Sequence, residues 1–326
     1  MKAVLCREFG PPESLTLEDV EDPSAGDGQV VIDVRACAVN FPDVLIIQNL
    51  YQFKPPLPFS PGAEVAGVVS AVGPAVNGLN VGDRILASTG WGGLAEKIAV
   101  DAGSAIPVPE GIDLAAASAF LYAYGTSHYA LRDRAGLQPG ESLVVLGAAG
   151  GVGLAAVELG AAMGATVIAA ASSDDKLDLC RDRGASLTIN YATEDLKARI
   201  RELTGGVGAD VVYDPVGGEY SEPALRAMAW EGRFLVIGFA AGQIPTIPLN
   251  LALLKSCEIV GVYWGAFVGR YPERHRRNVE ELIRWWRDGK LQPHVSSTYP
   301  LERASEAIRE LADRRAKGKV VVTIDG

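Results

Sequence analysis

An α/β fold built from two differently patterned parts is predicted for this chain of 326 residues, and three observations predict it. Up to about residue 120, short β-branched runs are punctuated by proline and glycine clusters, the pattern of a mainly β region. From Ser142 the rhythm changes to alternating apolar strands and helices, the mark of a doubly wound parallel sheet with helices on both faces. Between the first of those strands and the first of those helices lies a dense run of glycines.

In the first part, the runs at Ala3–Cys6, Gln29–Arg35 and Val65–Val72 read as strands. Turns are marked by Gly10-Pro11-Pro12, Lys54-Pro55-Pro56 and Val81-Gly82-Asp83, a spacing that suits a partly closed antiparallel barrel. Asp113 is placed to cap a helix reaching Ala119, and a second helix is expected over Leu121–Arg132. In the second part, strands are expected at 143–146, 166–170, 186–189, 210–213, 233–237 and 258–262. Helices are expected at 152–163, 175–183, 193–203 and 219–230. A charged helix over Pro272–Arg287 follows, with Trp285 and Trp286 expected to pack it onto the first domain. A last strand at Val320–Ile324 is expected to return to the β region.

The glycine run carries the chemistry. Leu143–Leu146 is an apolar strand, and it enters Gly147-Ala148-Ala149-Gly150-Gly151-Val152-Gly153 directly before an alanine-rich helix. Strand, glycine turn and helix in this order are what a dinucleotide-binding site requires. Gly150 lets the backbone approach a pyrophosphate, Gly153 lets the helix pack on the strand, and the helix N-terminus presents N–H groups to the phosphates. A plain βα packing turn is the less favoured reading. About 20 residues on, where an NAD site places an acid on the ribose 2′-hydroxyl, the sequence has Ala171, then Ser172, Ser173 and Lys176. Two hydroxyls and an ammonium suit a 2′-phosphate, so the expected cofactor is NADPH. Asp174 and Asp175 are expected to cap the next helix and face water.

Composition excludes several classes. A formal net charge of −10 argues against a nucleic-acid or anionic-membrane partner. No apolar run is long enough to span a bilayer. The four cysteines (Cys6, Cys37, Cys180, Cys257) lack C-x-x-C spacing, which suits reduced thiols in a cytoplasmic protein and gives no zinc or disulfide framework.

The motifs Asn40-Phe-Pro-Asp43, Pro61-Gly-Ala-Glu-Val-Ala-Gly-Val68, Val81-Gly-Asp-Arg84, Ala148–Gly153, Ile189-Asn-Tyr191 and Gly318-Lys-Val320 span the chain. With them the sequence resembles the medium-chain dehydrogenase/reductase superfamily, and within it the zinc-free NADPH:quinone oxidoreductases of the ζ-crystallin-like branch. The resemblance implies a Rossmann domain (123–264) inserted in a GroES-like, mainly β catalytic domain (1–122 plus 265–326). Zinc-dependent relatives carry a ligand Cys where this chain has Asn40, and a ligand His where it has Ala63. The run of cysteines that holds their structural zinc is missing after Trp91, so no metal is expected.

The implied activity is hydride transfer from NADPH to a quinone or an α,β-unsaturated carbonyl, a small-molecule substrate, in a homodimer formed through the Rossmann domain. An enoyl-thioester reductase and a non-catalytic, crystallin-like NADPH-binding protein are the alternatives. Without a metal Lewis acid, charge growing on the substrate oxygen must meet hydrogen-bond donors or solvent. Asn40, placed by the resemblance beside the nicotinamide, supplies an amide donor, although it reads equally well as a turn residue bonding local backbone. Tyr51 falls where related reductases place a tyrosine at the substrate mouth; an exposed loop tyrosine is the simpler alternative. Thr126 matches a threonine on the nicotinamide ribose in relatives. Ser172, Lys176 and Tyr191 are implied around the 2′-phosphate, and Phe239 near the nicotinamide. Tyr51, Phe53, Phe120, Tyr263, Trp264 and Phe267 are the aromatic residues available to line a pocket or, as readily, a core.

Overall fold

Valine, isoleucine and alanine runs give the strands their buried faces, and the computed structural model, which describes residues 1–325, sorts those strands into two units. One unit is Met1–Tyr122 together with the chain from Pro293 on; the other is Ala123–Gln292. The first begins with β1 (Lys2–Leu5), β2 (Thr16–Asp19), β3 (Gln29–Val39), α1 (Phe41–Ile46), β4 (Glu64–Val72), β5 (Arg84–Ser88), β6 (Lys97–Asp101), β7 (Ala105–Pro107) and α2 (Leu114–Ser118). As expected, Asp113 caps α2, its carboxylate accepting from Ala116 N–H at 3.1 Å. Helix α3 (Leu121–His128) then leads into the second unit.

That unit contains β8 (Ser142–Leu146), α4 (Gly151–Ala162), β9 (Thr166–Ala171), α5 (Asp174–Asp182), β10 (Leu187–Asn190), α6 (Leu196–Leu203), β11 (Ala209–Asp214), α7 (Ser221–Arg226), β12 (Met228–Val236), α8 (Asn250–Lys255), β13 (Glu258–Gly261), α9 (Trp264–Arg270) and α10 (Pro272–Arg287). The first unit is completed by β14 (Val295–Pro300), α11 (Ala304–Ala312) and β15 (Lys319–Thr323).

In the first unit, one sheet runs β14-β15-β3-β4-β5-β7, with β6 also paired to β3. All pairs are antiparallel except β14 with β15. β3 is its axis: β4 follows it along its length, β6 takes residues 29–33, and β15 takes residues 36–39. Two register shifts against β4 bend β3, which is how an antiparallel sheet curls towards a barrel. At the bend Gly67 is obligatory, because a Cβ there would lie 2.1 Å from the Asp33 carbonyl oxygen.

The second unit is a six-stranded, wholly parallel sheet in the order β10-β9-β8-β11-β12-β13. Numbered within the unit this is 3-2-1-4-5-6, the doubly wound dinucleotide-binding order, whose strand order reverses between β8 and β11. Ligands of such sheets bind beyond the carboxyl ends of the strands at that switch point.

Several elements depart from expectation. The helix expected at 219–230 is only α7, because the chain already pairs with β11 at Met228 and turns at Glu231, whose φ is +58°. The helix expected at 193–203 begins at Leu196, where Asp195 caps it through the Ala198 N–H at 2.7 Å. Beyond α3 the chain continues as a π-helical stretch, Tyr129–Arg134. Helices α9 and α10, expected in the catalytic domain, belong to the second unit. Phe267 stacks on Tyr129 at 4.1 Å, Asn278 donates to Asp133 at 2.8 Å, and Trp285 stands edge-on to His128 at 6.0 Å. Trp285 thus has a ring partner within the second unit.

Candidate active site

At the carboxyl end of β8, Gly147 turns the chain with φ +56° and Ala148 N–H bonds the Ala170 carbonyl of β9 at 3.0 Å. Ala148 and Ala149 are buried, and Gly150 is the N-cap of α4, with Gly151 and Val152 as its first residues. A Cβ on Gly153 would sit 2.3 Å from the Gly147 carbonyl oxygen, so only glycine lets α4 pack this closely. At Gly150 the nearest atom is 3.3 Å away, and its smallness serves the space outside the turn. Ser127 donates to the Val152 carbonyl at 2.9 Å and pairs with the Tyr213 hydroxyl at 2.8 Å. Thr126, which precedes Ser127 on α3, is half-buried.

Across the switch point, Asp214 ends β11. Its buried carboxylate accepts from Val216 and Gly217 N–H, each at 2.8 Å, and from the Ser221 hydroxyl at 2.5 Å. Burial pushes its carboxyl up, and these three donors oppose that. The turn it holds brings Gly217 against the Phe239 ring, where a Cβ would approach Cδ1 to 2.8 Å. Nothing in the sequence singled out Asp214.

At the end of β9, Ser172 is exposed and Lys176 Nζ lies 3.5 Å from its hydroxyl. Asp174 and Asp175 occupy the first turn of α5 rather than its cap, which is Ser173, and both face water. Asp174 accepts from the Asn190 amide at 2.8 Å. Tyr191 packs against Tyr220 with ring centroids 4.5 Å apart.

The first unit holds a buried charge group of its own. Asn40 N-caps α1; its N–H donates to Asp43 Oδ2 at 2.7 Å, and Asp43 Oδ1 accepts from Gly62 N–H at 2.9 Å. Burial pushes the Asp43 carboxyl up to about 6. Glu64, at the start of β4, is completely buried, as is most of Lys319 on β15. Lys319 Nζ lies 3.3 Å from Glu64 Oε2 and also donates to Asn40 Oδ1. The Asn40 amide donates to the Ala38 carbonyl at 3.2 Å and to Glu64 Oε2 at 3.3 Å. The donor expected to face a substrate is therefore engaged on both sides, because a buried carboxylate draws every donor in reach. Burial raises the Glu64 carboxyl, and the Lys319 charge opposes that.

Tyr51, half-buried, stands edge-on to Phe53 at 5.0 Å, and Phe53 leads to Trp91 at 5.7 Å. Tyr122 N–H donates to Glu64 Oε1 at 2.8 Å. Trp264 and Phe267 are core: the first covers Gly125, the second stacks on Tyr129. Tyr263 is exposed.

Comparison with known proteins assigns this architecture. Residues 26–110 match the family model described as alcohol dehydrogenase GroES-like domain, and residues 151–285 the one described as zinc-binding dehydrogenase. The chain is 38% identical over 324 residues to a quinone oxidoreductase-like protein 2 homolog of Nematostella vectensis, covering 98% of this chain and 88% of that protein. It is 33% identical to a Pseudomonas aeruginosa quinone oxidoreductase, covering 98% and 99%. It belongs to the quinone oxidoreductase family of medium-chain dehydrogenase/reductases. Among solved structures, an Escherichia coli quinone oxidoreductase complexed with NADPH superposes with a TM-score of 0.92 at 28% identity, covering 99% of this chain and 100% of that one.

This family includes zinc-binding members, and the residues here do not fit that ion. The place of a ligand histidine is taken by Ala63, which is buried, and the place of a ligand cysteine by Asn40, whose oxygen faces an ammonium. A tetrahedral zinc site needs thiolate or imidazole donors, and Lys319 already supplies the positive charge that Glu64 requires. Cys37 is near, but burial and the Asp43 and Glu64 charges hold its thiol well above its ordinary value. Among the described residues, no group of three or more His, Cys, Asp or Glu is arranged to hold a metal.

Glu64, Lys319 and Tyr122 were not singled out from the sequence as site residues. Their signal was there: a lone glutamate in Ala63-Glu-Val-Ala66 and a lone lysine in Gly318-Lys-Val-Val-Val322 are charges inside apolar strands. Such residues are buried only when paired.

Proposed function

We propose that this quinone oxidoreductase family member reduces quinones or α,β-unsaturated carbonyls with NADPH and without zinc. The observation that carries the reading is the end of β9, where Ser172 and Lys176 stand in place of a ribose-binding acid, beyond a glycine turn closed by Gly153. Gly150, Gly151 and Val152, at the N-terminus of α4, receive the pyrophosphate. Ser172, Lys176 and Tyr191 receive the 2′-phosphate, while Thr126 and Phe239 bound the nicotinamide end. When bound, NADPH supplies the hydride. The chain's own residues orient the acceptor and deliver the proton that completes its reduction. Tyr51 is the proton donor in this reading, and Asn40, held between Lys319 and Glu64, shapes the wall behind it.

Homodimerisation through the second unit fits the same reading. β13 is an edge strand, and Leu249, Leu253, Leu254 and Ile259 around it are exposed, an apolar surface that a second copy would cover. The unpaired cysteines suit the reducing cytoplasm, and no helix among the described residues is long and apolar enough to cross a membrane.

The test is oxidation of NADPH and of NADH, in parallel, by protein dialysed against a chelator, with an ortho-quinone as acceptor. Chelator-resistant, NADPH-selective turnover is expected. Preference for NADH would overturn the reading of Ser172 and Lys176, and loss of activity restored by zinc would overturn the metal-free reading.

A further inference from the structure

We propose that Asp214 is a positioning residue for the nicotinamide half of the cofactor: it fixes the loop beyond β11 and, through it, the loop beyond β12 that carries Phe239; this rests on the reductase reading above. Every group involved belongs to the second unit. β11 flanks the point where the strand order reverses, and cofactors of such sheets lie beyond the carboxyl ends of the strands there. In that reading the glycine turn after β8 takes the pyrophosphate and the end of β9 takes the 2′-phosphate. The ends of β11 and β12 are left for the nicotinamide half.

Asp214 is the last residue of β11 and only 3% exposed. Its Oδ1 accepts from the Val216 and Gly217 N–H groups, each at 2.8 Å, and its Oδ2 from the Ser221 hydroxyl at 2.5 Å. Ser221 opens α7, so one carboxylate ties together a strand end, a turn and a helix start. Backbone hydrogen bonds then join this loop to the one beyond β12. Ile237 N–H donates to the Asp214 carbonyl at 3.0 Å, Ala240 N–H to that of Pro215 at 3.0 Å, and Ala241 N–H to that of Val216 at 2.8 Å. In return Gly218 N–H donates to the Gln243 carbonyl at 3.0 Å. The turn also touches the glycine run: a Cβ on Gly147 would lie 2.8 Å from Val216 Cγ2, so Val216 sits against Gly147. On its other side Gly217 meets the Phe239 ring with no room for a Cβ.

The three donors to Asp214 are neutral groups. A buried carboxylate with neutral partners is held by its hydrogen bonds, and losing one leaves a charge and a donor unsatisfied together. The turn is thereby confined to one arrangement. Phe239, half-buried, is bracketed by Gly238 N–H on the Asp214 carbonyl at 3.3 Å and by Ala240 N–H on Pro215. A ring fixed in this way needs no ordering when the cofactor arrives, and the saving appears as affinity. That affinity belongs to the nicotinamide half alone, because the phosphates are held by α4 and the end of β9.

Two ligands separate positioning from a general loss of fold: NADPH, and adenosine 2′,5′-bisphosphate, which lacks the nicotinamide half. Both are titrated onto full-length protein, by fluorescence and by calorimetry. Asp214→Ala should weaken NADPH about tenfold and leave the bisphosphate unchanged. Asp214→Asn keeps an oxygen for the two N–H groups and an amide for Ser221, and should return NADPH affinity to within about threefold of wild type. Ser221→Ala removes one donor with the turn still in place, so it reads the same split should Asp214→Ala fail to fold. Combined with Phe239→Ala, either variant should lose less than the product of the single losses, since both act through one ring. Equal weakening of both ligands, undiminished NADPH affinity in Ser221→Ala, or losses that multiply with Phe239→Ala overturn the proposal. Neither titration needs an acceptor. A protein that binds NADPH but reduces no quinone or enone therefore sinks the reductase reading, while the split between the two ligands still decides the role of Asp214.

Discussion

Replacing Lys319 by methionine tests the buried charge group most directly. Lys319 Nζ is 3.3 Å from Glu64 Oε2, and both side chains are almost fully out of water. At an effective dielectric of about 20, that separation corresponds to about 5 kcal/mol of attraction. Removing one partner of a buried pair typically costs about 3–5 kcal/mol, because the remaining charge stays desolvated. Lys319→Met should therefore lose about 4 kcal/mol at about pH 8. Urea unfolding gives the total, and hydrogen exchange of the β15 and β3 amides localises it to the first unit. In this variant the folded Glu64 pKa is raised further above its unfolded value. The lost stability should thus return as pH falls through that folded pKa, when Glu64 takes up a proton. Adding Glu64→Gln should restore much of the loss at about pH 8. A Lys319→Met protein within about 1 kcal/mol of wild type at that pH, or a double variant weaker than either single, would refute the argument.

Lys176→Ala should weaken NADPH binding about tenfold and leave NADH binding unchanged, read by fluorescence titration, since one charge on the 2′-phosphate is removed. Gly153→Ala must push α4 off Gly147 and should cost about 1–3 kcal/mol together with NADPH affinity, measured by thermal unfolding and the same titration. Leu253→Glu, on the exposed apolar surface beside β13, should give a monomer by sedimentation; an unchanged mass would remove that surface from the dimer reading. Asp43 has a folded pKa of about 6, above its unfolded value of about 4, so its protonation stabilises the fold at low pH and that contribution is lost as pH rises through about 6. Asp43→Asn should flatten the fall in stability between about pH 4 and 6, and an unaltered pH profile would contradict the burial argument.

The second unit was legible because its signals are local. Leu143–Leu146, the glycine run and α4 follow one another within one segment, and Gly153 is required by a backbone atom only six residues away. Asp113 and α10 were readable for the same reason: a cap and an amphipathic pattern each lie within a few turns. What escaped is what distant residues decide. α7 is cut short by pairing of Met228 with β11, and the grouping of α9 and α10 depends on Phe267 meeting Tyr129. The partners of Asn40 lie 24 and 279 residues away, so an amide that looks available in sequence is engaged in the fold.

The place of β15 has a consequence for biosynthesis. β15 lies between β14 and β3 in the sheet and carries Lys319, the ammonium paired with Glu64, yet in chain order it follows the whole of the second unit. Domains generally fold as units in order of synthesis. Every strand of the parallel sheet emerges before β15, whereas β3 and β4, made first, must wait with an unneutralised glutamate and an open sheet edge. The N-terminal half is therefore the part exposed to chaperones and to misassembly, and the later-made Rossmann unit is the first that can finish folding.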